Sequence, residues 1–242
     1  MDFKIEVPTA LEYFASLVQS DEHFPLLEAA ASLGQDEYPE FDIQEVLDQV
    51  DQLGGRLKQR LPADAGALQK LRLLNKFFFD EQGFSGNLNN YYDPDNSYLH
   101  VMLRTRRGIP ISLAVLWLEL ALGVGLKAQG VGFPGHFLVK VRLPFPNEGQ
   151  VVIDPFTGES LSKEDLMERL APLHAESGLM RDGHVSDELL KHYLHAATPR
   201  EIVARMLRNL EEVYTSHQDS ERLILVKQRL AVLLPQVTED DE

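Results

Sequence analysis

The stretch PISLAVLWLELALG, residues 110–123, constrains this chain more than any other. From Ile111 to Leu122 it is apolar nearly all round, with Glu119 as its one charge. A helix without a polar face has to be enclosed on every side by other elements. Pro110 stands at its start, where a proline costs no hydrogen bond. The apolar run from Ile109 to Val124 falls short of a membrane span and contains Glu119, so no membrane partner is expected. The enclosing layers must come from the rest of the 242 residues.

The segment after the helix supplies one layer. Beyond Leu126 the apolar period changes to two. In HFLVKVRL, Phe137, Val139, Val141 and Leu143 share one face, and His136, Leu138, Lys140 and Arg142 share the other. His136, at the start of this strand, is predicted to point away from the more apolar face. After a turn at PFPNEGQ, QVVIDPF reads as a further strand. Pro155 pushes Asp154 towards extended backbone and ends that strand. Residues 160–196 read as helix and loop.

Helices supply the other layers. TALEYFASLVQ opens with Thr9 as an N-cap and places Leu11, Phe14, Ala15 and Val18 at helical spacing. FPLLEAAASLG ends at Gly34, which suits a helix C-terminus. FDIQEVLDQVDQLGGRLKQRL repeats the pattern, and Gly54-Gly55 is expected to weaken or bend it. ALQKLRLLNKFFFDEQGF is a fourth and more apolar helix. FSGNLNNYYDPDNSYL, rich in Asn, Asp, Gly and Tyr, reads as an ordered loop. TPREIVARMLRNLEEVYTSHQDSERLILVKQRLAVLLP reads as a helical hairpin that packs on the main body. Leu207, Leu210, Tyr214, Leu223 and Pro235 match the spacing of a tetratricopeptide unit, but Glu211 and Lys227 stand where that unit has small and aromatic residues. One such unit cannot build a solenoid. The tail TEDDE is expected to be disordered.

Composition removes several function classes. At 44% hydrophobic, the chain can bury a large core. Its net charge is −15, and residues 1–66 hold 14 acids against 4 bases. So acidic a chain is a poor partner for nucleic acid, whose phosphates require clustered Lys and Arg. The acidic helices read as solvated surface. The cluster Arg104, Arg106 and Arg107 reads as a local charge balance against them. There is no cysteine, which excludes disulfides, thiolate zinc sites and cysteine catalysis within the chain. His174, His184, His192 and His195 show no convincing ligand spacing, so no metal and no cofactor is expected. MDFKIEVPTALEYF lacks the pattern of a signal peptide, and a cytoplasmic protein is expected.

The chemistry gathers at His136 and Asp154. An acid aligned on a histidine fixes its tautomer and makes it a better base. A nucleophile for such a base belongs at the start of the buried helix, where the helix dipole favours an anion and free amides can hold an oxyanion. A buried helix after a glycine, then a strand beginning with His, then one ending in Asp, resembles the transglutaminase-like superfamily. Its papain-like core uses Cys, His and Asp in that order. FSGNLNNYYDPDNSYL, RRGIPISLAVLWLELA, GVGFPGHFLVKV and VVIDPFTGESL together are similar to the SirB-type bacterial branch, with its N-terminal helical region and C-terminal tetratricopeptide-like hairpin.

The resemblance implies an α+β fold: a buried helix and a small antiparallel sheet, with helices before and a hairpin after. Residues 1–82 would form the helical region, 83–165 the core, 166–197 connecting helices, 198–236 the hairpin and 237–242 a tail. It implies that His136 and Asp154 hold the second and third triad positions. Aligning Gly108 and Ala114 puts the cysteine's place at Pro110. Ser112 is the one nucleophile nearby. Asn87, Tyr92 and Asn96 of the loop, with Arg107, are candidate binding residues, and Asp93 is another that could line a cleft. The expected function is a non-catalytic transglutaminase-like protein that binds a peptide or protein partner. The rivals are a serine hydrolase or acyltransferase using Ser112, His136 and Asp154, and a scaffold acting through the hairpin.

Overall fold

The structure is a computed structural model that describes residues 7–145, 148–174, 180–181 and 184–235. The tail TEDDE, and Pro146 and Asn147 of the PFPNEGQ turn, lie outside them. The part of the chain before the Asn- and Tyr-rich loop is helical. Helix α1 (Ala10–Leu17) is closed at its start by a capping box between Thr9 and Glu12. Helix α2 (Leu26–Ser32) does not stop at Gly34 but tightens into a 3-10 turn over Leu33–Asp36. Gly34 is there for space, since a Cβ would come within 2.9 Å of the His100 ring. Helix α3 (Ile43–Lys58) runs unbroken through Gly54-Gly55, contrary to expectation. The buried stripe of Val46, Val50, Leu53 and Leu57 outweighs the weak propensity of the two glycines. Helix α4 (Ala67–Asn75) widens into a π turn over Lys76–Glu81, and the neighbours Phe77 and Phe78 are both buried there.

The Asn- and Tyr-rich loop is pinned at both ends. Strands β1 (Ser85–Gly86) and β2 (Arg107–Gly108) pair in parallel, each two residues long. Between them lie a 3-10 turn at Pro94–Ser97 and helix α5 (Leu99–Thr105), which the sequence pattern did not separate from the apolar helix after it. Helix α6 (Pro110–Gly123) is that apolar segment, and it is enclosed as its composition requires. Leu113, Ala114, Trp117 and Ala121 are fully buried.

The sheet has the order β3-β4-β5-β6 and is antiparallel throughout, with β3 (Lys127–Val131), β4 (Leu138–Leu143), β5 (Gly149–Ile153) and β6 (Ser160–Leu161). Phe137, Val139, Val141 and Leu143 join the main core with α6, as the period of two predicts. The opposite face is not a solvent face. Leu138 and Val152 pack there with Leu166 and Leu170 of α7 (Lys163–His174). A strand pair, β7 (Met180–Arg181) and β8 (His184–Val185), then leads to α8 (Asp187–Tyr193), whose Leu190 joins the same cluster. Lys140 on this face donates to the Leu194 carbonyl at 2.6 Å, and burial lowers its amine from the usual value.

The C-terminal hairpin pairs α9 (Pro199–Ser216) with α10 (Ser220–Leu233). Ile202, Val203, Met206, Leu207 and Leu210 of α9 belong to the same core cluster as α6. The hairpin's arginines reach the acidic N-terminal part: Arg200 to Asp21 at 2.7 Å, Arg229 to Asp36 at 2.6 Å, and Arg222 to Glu37. Part of the acidic excess is thus counter-charge for the hairpin and not only solvated surface. Arg104, Arg106 and Arg107, expected to balance that charge, form no ion pair among the described residues. Arg106 takes a left-handed φ of 62° and lies over the Phe84 ring, and Arg107 donates to the Gly83 carbonyl. The architecture is α+β. Among the described residues no helix is long and apolar enough to cross a membrane.

Candidate functional site

Antiparallel neighbours place the start of one strand beside the end of the other. Val139 of β4 pairs with Ile153 of β5, so His136 just before β4 and Asp154 just after β5 fall at the same edge of the sheet. His136 is not within the strand. It sits in a turn, its N–H bonded to the Phe133 carbonyl at 3.1 Å. That turn frees the ring from strand alternation, and Nε2 meets Asp154 Oδ1 at 2.7 Å.

Asp154 is fixed by its own neighbours. The DPFTG sequence forms a turn in which the Phe156 N–H donates to Oδ1 at 2.9 Å and the Gly158 N–H to the Asp154 carbonyl at 2.8 Å. Arg169 of α7 donates to Oδ2 at 3.1 Å. Asp154 is only 2% exposed. Burial works to raise its carboxyl, but the donors from His136, Phe156 and Arg169 outweigh burial and hold it below the ordinary value. An ionised Asp154 accepts a proton-bearing Nε2, which leaves Nδ1 of a neutral imidazole as the free base.

His136 opens on a cleft of about 320 Å³. Pro110 and Ile111 at the start of α6 form one wall, and Tyr91, Tyr92 and Asp93 of the loop form another. Arg205, Asn209 and Glu212 of α9 close it. Pro110, at the place inferred for a cysteine, therefore does face the histidine's cleft, with a ring that offers no nucleophile. A larger groove, about 650 Å³, opens elsewhere between Phe41, His100 and Arg104. It shares no residue with the His136–Asp154 pair.

The remaining expected site residues divide. Ser112 does not line the cleft. It is fully buried, and its hydroxyl donates to the Asn96 and Ile109 carbonyls at 2.6 and 3.0 Å and accepts from the Ile109 N–H. Within the first turn of α6, its side chain faces the core and not the cleft. Tyr92 lines the cleft and is 62% exposed. Asn87 and Asn96 bond each other at 2.8 Å, and Asn96 also donates to the Asn90 and Tyr91 carbonyls, so both hold the loop in shape. Neither they nor Arg107 reach the cleft. His192 stacks edge-on with Tyr193, and among the described residues no cluster of three His or acidic groups could hold a metal. The side chains of His174 and His184 lie outside the described residues.

Several residues of the site were missed from sequence. Arg169 and Arg205 lie 15 and 69 residues from their partners, and nothing local marks them. Gly86 did carry a signal within the SGN motif. A Cβ there would come 2.3 Å from the Phe156 ring, so only glycine lets the Asp154 turn close on the loop.

A family model described as transglutaminase-like superfamily matches residues 44–208. A UPF0162 protein of Xylella fastidiosa (strain 9a5c) is 38% identical over 217 residues, covering 89% of this chain and 74% of that protein. A UPF0162 protein of Pseudomonas aeruginosa is 30% identical over 242 residues, covering 100% of this chain and 78% of that protein. F-box only protein 21 of Homo sapiens is 40% identical over 72 residues, 30% of this chain and 12% of that protein. No solved structure matches.

Proposed function

Since the chain belongs to the transglutaminase-like superfamily yet holds no cysteine, we propose that it is a non-catalytic member whose His136 cleft binds a peptide or protein partner. One observation carries this reading. The cleft is open at His136 and at Pro110, while the hydroxyl that sequence spacing offered as nucleophile, on Ser112, is buried in bonds to the backbone. To act as a nucleophile Ser112 would have to give up those bonds and leave the core, at a cost of about 1–3 kcal/mol for each polar group left unpaired. The His136–Asp154 pair then serves as an oriented hydrogen-bonding group in the cleft wall. Tyr91 and Tyr92 supply the exposed apolar area that peptide sites favour.

The test is a screen of the purified chain against a diverse set of labelled peptides by fluorescence anisotropy. Binding is expected, with His136→Ala weakening it about tenfold while circular dichroism stays unchanged. Mass spectrometry should show the bound peptides intact. Hydrolysis or cross-linking that His136→Ala abolishes, or acylation of Ser112 by an activity-based probe, would return the chain to the enzymes.

A further inference from the structure

Arg205 is the one guanidinium in the wall of the cleft. Its Nη2 donates to the carbonyls of Phe133 at 3.1 Å and His136 at 2.7 Å, and its guanidinium lies 5.7 Å from the centre of the Phe137 ring. Among the described residues no carboxylate comes within 4.0 Å of it, whereas Arg169, Arg200, Arg222 and Arg229 each hold one. A guanidinium carries five N–H donors, so two bonds from a single nitrogen leave most of the fork without a partner. Arg205 is half-buried, and a partly desolvated cation without a counter-charge is stabilised by any anion that reaches it.

The rest of the wall fixes which anion. Arg205, Asn209 and Glu212 fall at i, i+4 and i+7 on α9, and all three line the cleft. Helical rise separates Arg205 from Glu212 by about 10 Å along the axis. An extended peptide covers that span in about three residues. Glu212 is exposed and forms no ion pair among the described residues. Along α9 the wall is therefore positive at one end and negative at the other, while Asp93, the other carboxylate of the lining, is held by the Asn90 amide at 2.9 Å and the Asp95 N–H at 3.0 Å. A volume of about 320 Å³ is small for a ligand site, which suits the end of a chain better than a chain running through.

Resting on the peptide-binding reading, we propose that the cleft takes the C-terminal end of a peptide. Its α-carboxylate docks on the free fork of Arg205, and a Lys or Arg three residues upstream lies beside Glu212. Tyr91 and Tyr92 cover the residues between.

The full chain is titrated against an N-terminally labelled peptide AAKAAL, made as the free acid and as the C-terminal amide. The acid is expected to bind about ten- to a hundredfold more tightly than the amide. Arg205→Lys, which keeps the charge and loses the fork, should shrink that ratio. Glu212→Gln should remove the advantage of AAKAAL over AAQAAL without changing the ratio of acid to amide. Equal binding of acid and amide to the unmodified protein overturns the inference, and so does binding of neither form. In both cases the broader reading survives if other peptides bind at His136. A screen in which no peptide binds overturns both.

Discussion

The carboxylate of Asp154 satisfies three donors at once, from His136, Phe156 and Arg169. Because these hold its folded pKa below the ordinary 3.8, the stabilisation from this group is complete above about pH 4 and is lost as pH falls through the folded value. Asp154→Asn removes the charge and keeps the shape. It should lower stability by about 1–3 kcal/mol at pH 7, and the gap to the unmodified protein should shrink at pH 3. Urea unfolding at the two pH values measures this, and a gap that stays constant would show that Asp154 is not the linked group. His136 and Asp154 were legible because each borders a short patterned strand, His136 before β4 and Asp154 after β5. The side chain of Ser112 could not be placed from sequence, because spacing alone does not say which side of the first helical turn meets the cleft. That is decided by Asn96, whose carbonyl captures the hydroxyl from 16 residues away. Arg205 was invisible for a similar reason, since an arginine on an amphipathic helix reads as surface until the turn beside it is seen.

At the scale of elements, apolar pattern proved a better guide than glycine. The enclosed α6 and the period-two strands follow directly from which residues are apolar. The bend expected at Gly54-Gly55 does not occur, and Gly34, in the 3-10 turn that closes α2, is there for packing against His100. The less apolar face of β4 is covered by α7 and α8, whose residues lie later in the chain, so its own alternation does not show what packs there. Gly55 offers a direct check. A Cβ there meets nothing within 4 Å, and the position lies inside a continuous helix. Gly55→Ala should therefore stabilise by about 0.5–1 kcal/mol, raising the thermal midpoint by about 1–3 °C. An unchanged or lower midpoint would mean that the glycine pair has a role this helix does not reveal.

For the whole molecule, the question is whether the hairpin is an appendage or part of the body. Its α9 residues share one core with α6, and Arg229 of α10, 1% exposed, is paired with Asp36 and stacked on Phe14 of α1. Removing one partner of a buried pair leaves the other uncompensated, so Arg229→Ala should cost about 3 kcal/mol. The chain's single tryptophan, Trp117, sits fully buried on α6 with its indole N–H on Asn75, and it reports on the central core. If the hairpin and the core unfold together, Arg229→Ala shifts the Trp117 fluorescence transition and the far-UV circular dichroism transition to the same lower denaturant concentration. A hairpin that merely docks gives a different result: the dichroism curve splits into two steps, and the Trp117 midpoint stays where it was. The cleft wall belongs to the same test, because Arg205, Asn209 and Glu212 ride on α9. A hairpin that came away on its own would take Arg205, Asn209 and Glu212 with it, so a single shared transition is what the site at His136 requires.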